Sequence, residues 1–65
     1  MGTIELDGRR IRRRLEGDGW FLLRQTGPHD IYMHPSRKGR IIVPRHRGDL
    51  DFGLARTLAR QAGWI

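Results

Sequence analysis

Hydrophobic residues in this chain fall into five short groups separated by glycine and proline, and their spacing differs from group to group. Ile11 and Leu15 stand four apart, one face of a helix, in a segment running from Leu6 to Asp18. Asp7 suits the N-cap, where a side-chain oxygen accepts from an unpaired backbone N–H of the first turn. Gly17 and Gly19 flank the exit. Between these markers lie Arg9, Arg10, Arg12, Arg13 and Arg14, which repel one another and are offset only in part by Glu16 and Asp18. Such a helix depends on packing against a sheet more than on its own propensity.

Three strands are expected next. Trp20 to Thr26 is rich in aromatic and apolar residues and ends at Gly27-Pro28. Asp30 to His34 alternates Ile31 and Met33 with Tyr32 and His34, and Pro35 stops it. Arg40 to Val43 forms the third, closed by Pro44, after a segment of hairpin-loop composition, Pro35-Ser36-Arg37-Lys38-Gly39. Connections this short predict an antiparallel meander, because parallel pairing needs a long crossover. A last helix spans Asp51 or Phe52 to Ala62, with Leu54, Leu58 and Ala62 on one face, Ala55 and Ala59 widening it, and Gly63 at the C′ position. The predicted fold is α+β in the order α-β-β-β-α, with both helices on one face of the sheet. The other face is left to solvent or a ligand. Trp20, Phe21 and Phe52 are expected in the core, and Tyr32 is left open between the core and the uncovered face.

Composition narrows the classes. A chain of 65 residues and 7.6 kDa folds to a radius of gyration of roughly 11 Å. It buries only about 60% of its unfolded surface. One domain over residues 1–65 is expected, which excludes a dinucleotide fold or a barrel. The absence of cysteine excludes disulfides, thiolate zinc sites and a cysteine nucleophile. The longest apolar runs, Trp20 to Leu23 and Ile41 to Val43, are too short to span a membrane. Met1-Gly2-Thr3-Ile4-Glu5 has no signal-peptide pattern, so a soluble cytoplasmic protein is expected. Thirteen basic residues, twelve of them arginine, against seven acidic ones leave a net charge of +6. Arginine forks match phosphate oxygens, and a small domain of this charge points to a polyanion, nucleic acid first. The alternative is an arginine-rich composition that decorates solvated faces.

The candidate chemistry is sparse. His29, His34 and His46 are five and twelve residues apart, without an HExxH pattern or clustered carboxylates, so neither a metal nor another cofactor is expected. No glycine-rich phosphate loop precedes a helix, and Ser36, the single serine, lies in a basic turn unsuited to a triad. What remains is histidine beside arginine. Imidazole titrates near neutrality and serves as general base or acid. RNA brings its own nucleophile, the 2′-hydroxyl, and needs a proton acceptor and a cation for the charge developing on phosphorus. His29, after Gly27-Pro28 at the mouth of the first hairpin, is the best candidate, with Arg24 and Gln25 just upstream. The competing reading makes His29 and Asp30 a polar turn, imidazole bonded to carboxylate. His34 and His46 read as strand-end or surface residues, or as RNA contacts.

The runs Asp18-Gly19-Trp20, Arg24-Gln25-Thr26-Gly27-Pro28-His29, His34-Pro35, Gly39-Arg40-Ile41-Ile42-Val43-Pro44-Arg45-His46 and Leu58-Ala59-Arg60-Gln61-Ala62-Gly63 together resemble the HicA toxin (YcfA-like) family, over nearly the whole chain. The resemblance implies a double-stranded-RNA-binding-like α-β-β-β-α fold and an mRNA interferase, which with the residues above is expected to act without a metal. It also implies a HicB-type antitoxin as partner. The histidine of the family's Gly-Ser-His motif falls on His29, which the resemblance makes catalytic. RNA contacts are then expected from Arg24, Gln25, the basic loop Arg37, Lys38 and Arg40, and from Arg45 and His46, in a chain monomeric when free. The chain departs from the family pattern in two ways: Pro28 replaces the motif serine, and Arg12 and Arg14 stand where the first helix usually carries apolar residues. Pro28 lacks both a hydroxyl and a backbone N–H. It keeps open two alternatives, a non-catalytic RNA-binding module and a degenerate toxin that chiefly binds its antitoxin.

Overall fold

Trp20 is buried at the junction of the first helix and the first strand. The structure is a computed structural model that describes residues 3–65. Its elements are α1 (Gly8–Gly17), β1 (Phe21–Thr26), β2 (His29–His34), β3 (Arg37–Pro44) and α2 (Phe52–Gln61), the predicted order. The strands form one antiparallel sheet in the order β1-β2-β3. The Cα radius of gyration is 11.0 Å.

Asp7 caps α1 as expected: the Arg9 N–H donates to its Oδ1 at 2.9 Å. The helix buries Gly8, Ile11 and Leu15 and turns most of its arginines outward. Leu6 lies outside the helix, because its carbonyl accepts from the Leu50 N–H at 2.8 Å next to an isolated antiparallel bridge between Asp7 and Asp49. Asp51 caps α2 through the Leu54 N–H. At its far end the Trp64 N–H returns to the Ala59 carbonyl and the Gly63 N–H to that of Arg60. This double closure places Gly63 in the left-handed region, at φ +82°.

Two-residue turns, Gly27-Pro28 and Pro35-Ser36, join the strands. The second corrects the expected five-residue loop, since β3 begins at Arg37 rather than Arg40. A bulge between Tyr32 and His34 brings His34 opposite Arg37. The His34 ring then closes the turn, its Nδ1 accepting from the Ser36 N–H at 3.1 Å. The other ring nitrogen donates to the Asp18 carbonyl at 2.9 Å, which fixes the neutral tautomer and ties β2 to the end of α1. Gly19 leaves room for this: at φ +96°, a Cβ there would stand 2.9 Å from His34 Nε2.

On the helix side, Leu22, Tyr32 and Ile41 lie across from one another, as do Gln25, Asp30 and Val43. Tyr32, Ile41 and Val43 join Ile11, Leu15, Trp20, Leu50, Ala55, Leu58 and Ala62 in the core. Tyr32 is thereby assigned to the core and not to the open face. That face carries Phe21 opposite Met33, Arg24, Ile31 and Ile42 in a row, and Thr26, His29 and Pro44 in the next. Two expected core residues are corrected. Phe21 is 46% exposed because burying Trp20 turns its neighbour outward, and Phe52 is 58% exposed at the first position of α2, outside the Ala55 and Leu58 stripe.

Tyr32 is the single tyrosine. Burial, then the Glu16 and Asp30 carboxylates, raise its phenol above the ordinary value, against the opposing pull of Arg12 and Arg45. Unfolded tyrosine ionises first, at about pH 10, so stability falls as pH rises from there towards the folded-state value. Phenolate absorbance of the native protein is expected to develop above the free-tyrosine midpoint. A midpoint at or below that of free tyrosine would contradict the burial described.

Candidate active site and basic surface

His29 opens β2 immediately after the Gly27-Pro28 turn, on the open face, between Thr26 and Pro44. Its ring is exposed and has no hydrogen-bond partner among the described residues. The other two imidazoles are engaged, His34 as described above and His46 through Nδ1, which donates to the Arg47 carbonyl at 2.9 Å. Arg24 shares the open face, opposite Ile31. As a diagonal cross-strand neighbour it lies about 7–8 Å from His29, within reach of a long side chain. Arg40 alternates with the buried Ile41 and so belongs to the same face, across the apolar row from Arg24.

Asp30 takes the opposite course. Its carboxylate is 0% exposed. Arg45 Nε donates to both oxygens, at 2.9 and 2.8 Å, and Arg12 Nε stands 3.9 Å away. The Arg45 N–H donates to the Pro28 carbonyl at 2.6 Å, so backbone and side chain together fasten the end of β3 to the start of β2. The polar-turn reading of His29 with Asp30 is therefore corrected: alternation sends the two side chains to opposite faces.

The expected RNA contacts divide in the same way. Gln25 pairs with Asp30 on the helix side and is not brought to His29. Arg37 is committed elsewhere, its Nη1 donating to the Ala62 carbonyl at 3.0 Å with the guanidinium 5.9 Å from the Trp20 ring centre. Lys38 and Arg40 are exposed on β3, within a strand rather than a loop. Arg45 holds Asp30 yet keeps 52% of its side chain exposed, and His46 lies beyond it in the segment leading to α2. Arg14 packs on an aromatic ring: its guanidinium sits 4.3 Å from the Trp64 ring centre, while Trp64 Nε1 donates to Asp18 Oδ2. Among the described residues no three His, Asp or Glu side chains gather to hold a metal, and no helix is long and apolar enough to cross a membrane.

Residues 8–64, from the first residue of α1 to Trp64, match the family model for the HicA toxin of bacterial toxin-antitoxin systems. The chain belongs to the HicA toxin family. No curated protein matches it. Membership makes this a toxin with a cognate antitoxin, and the matched span contains the whole sheet, both helices and the His29 turn. Sequence reasoning had not singled out Arg9, Arg12 and Arg47 as a group; with His46 they line one cleft of the toxin. The only sequence signal for it was the run of arginines in α1.

The Asp30 cluster is expected to respond asymmetrically to mutation. Arg45→Ala strands a buried carboxylate and costs about 3 kcal/mol. Asp30→Asn costs less, because Arg45 is half-exposed and turns to water. The double variant Asp30→Asn/Arg45→Ala is expected to be more stable than Arg45→Ala alone. Urea unfolding of the three variants checks this order, and equal losses for both single variants would contradict it.

Proposed function

We propose that this toxin is a metal-independent endoribonuclease that cuts mRNA, with His29 as its general acid–base. The observation that carries the proposal is the free imidazole of His29, exposed on the open sheet face with Arg24 beside it, while the other histidines hold backbone groups. In the reaction, His29 accepts the proton of an RNA 2′-hydroxyl. The oxygen attacks the adjacent phosphorus, the bond to the 5′-oxygen breaks, and that oxygen leaves with a proton from His29 or water. The products are a 2′,3′-cyclic phosphate and a 5′-hydroxyl. Arg24 supplies positive charge for the phosphoryl oxygens, Arg40, four residues along β3 from Pro44, grips the flanking backbone, and DNA, without the 2′-hydroxyl, is not cut.

The partner in this reading is a HicB-type antitoxin seated on the open face. Phe21, Ile31, Met33 and Ile42 offer it an apolar strip flanked by Arg24 and Arg40. Apolar side chains with a few carboxylates match such a strip and cover His29. Pro28 favours a second reading, in which the toxin grips RNA without chemistry, since it removes the motif hydroxyl and one N–H donor. That reading gives saturable, salt-dependent binding with no new RNA ends.

RNA incubated with the purified toxin in excess EDTA separates the two. The parent is expected to cleave, and His29→Ala to be at least about 100-fold slower while keeping its circular dichroism. Intact RNA with a folded parent, or equal cleavage by His29→Ala, would refute the assignment.

A further inference from the structure

A cleft of about 410 Å³ opens between the start of α1 and the segment joining β3 to α2, lined by Asp7, Gly8, Arg9, Arg12, His46 and Arg47 with Gly48 and Asp49 at its rim. Its two walls are held together by the Asp7–Asp49 bridge and the Leu50 N–H to Leu6 carbonyl bond. The Arg12 guanidinium lies against Gly8 at the helix start, where a Cβ would make ordinary contact with Nη1 at 3.5 Å and Nη2 at 3.8 Å. Arg12 Nη1 is buried with no hydrogen-bond partner. Its charge is poorly matched too: Asp30 gives both oxygens to Arg45 and leaves Arg12 at 3.9 Å. Two guanidinium groups thus face one buried carboxylate, and Arg12 keeps a donor that lacks an acceptor.

We infer that this cleft binds one phosphodiester of a single-stranded RNA, as a subsite separate from His29. The lining identifies the ligand class. Arg9, Arg12 and Arg47 supply forked donors for phosphate oxygens, while the Asp7 and Asp49 carboxylates disfavour a bare, multiply charged anion and can accept from ribose hydroxyls. The size falls in the range of sites for small organic ligands, from roughly 300 Å³ upward. The course of the chain links the two sites: Pro44 pairs with His29, Arg45 holds Asp30, and His46 and Arg47 reach the cleft. Three residues of chain span at most about 10 Å, so a strand bound at one site can continue to the other. The inference rests on the RNA reading above, but not on cleavage.

The test is binding of a short 5′-hydroxyl oligoribonucleotide to the His29→Ala chain over a series of salt concentrations. Arg9→Ala/Arg47→Ala in that background is expected to weaken binding about tenfold and to flatten the logarithmic salt slope by about 0.7, the value for one single-strand phosphate. Arg56→Ala/Arg60→Ala removes the same charge from exposed positions of α2 and is expected to change binding by less than about twofold, with the slope unaltered. Inorganic phosphate at matched concentration is expected not to displace the RNA. Equal weakening by both pairs, no weakening by either, absence of RNA binding, or capture of inorganic phosphate in place of RNA would each overturn the subsite. A parent that fails to cut RNA while the cleft pair still governs binding would defeat the nuclease reading and leave the subsite standing.

Discussion

A carboxylate sealed from water, Asp30, organises this toxin. Removing a charge from solvent costs several kcal/mol, so the fold has to bring cations to it. Arg45 comes from just beyond β3 and Arg12 from α1. Meeting that demand pins the third strand, the first helix and the Gly27-Pro28 turn at one point. It also decides the register of β2. With Asp30 inward, His29 has to face outward, and a slip of one residue would expose the carboxylate and bury the imidazole. The candidate catalytic group thus owes its position to a neighbour that takes no part in the chemistry.

The opposite end of the molecule is closed by a second polar set. Asp18 receives His34 on its carbonyl and Trp64 on its carboxylate, Arg14 covers the Trp64 ring, and Arg37 reaches the Ala62 carbonyl at the C-cap of α2. A chain of 65 residues cannot build a large apolar core, and these contacts extend the small one it has. They also change the meaning of the charge. Of the twelve arginines, Arg14, Arg37 and Arg45 are engaged closely within the chain. The surface open to a polyanion is therefore narrower than the composition implies, and it centres on the open sheet face and the cleft beside α1.

Element order was legible because glycine and proline fall between groups of different period, and the cap Asp7 was legible from residue type and place. The start of β3 was not. Arg37-Lys38-Gly39 has the composition of a turn, and only the His34 side chain, folding back on Ser36, allows the turn to close two residues earlier. Phe21 was read as core on hydrophobicity, whereas strand alternation beside Trp20 leaves it outside. At the site, His29 stood out through its neighbours in sequence. The Asp30–Arg45 pair did not, because its members are fifteen residues apart and meet only through strand register. The cleft was hidden for the same reason, as its walls come from residues 7–12 and 46–49, joined by a bridge that periodicity does not reveal.

In the proposed reaction RNA supplies the nucleophile and His29 moves its proton. The most direct measurement is mass spectrometry of the fragments from a defined oligoribonucleotide, beside the same strand carrying a 2′-deoxy residue at the cut position. The account predicts 2′,3′-cyclic phosphate and 5′-hydroxyl ends, with no cleavage of the deoxy-substituted strand. Fragments ending in a 3′-hydroxyl and a 5′-phosphate, or undiminished cutting at the deoxy position, would mean that water attacks instead and would contradict it.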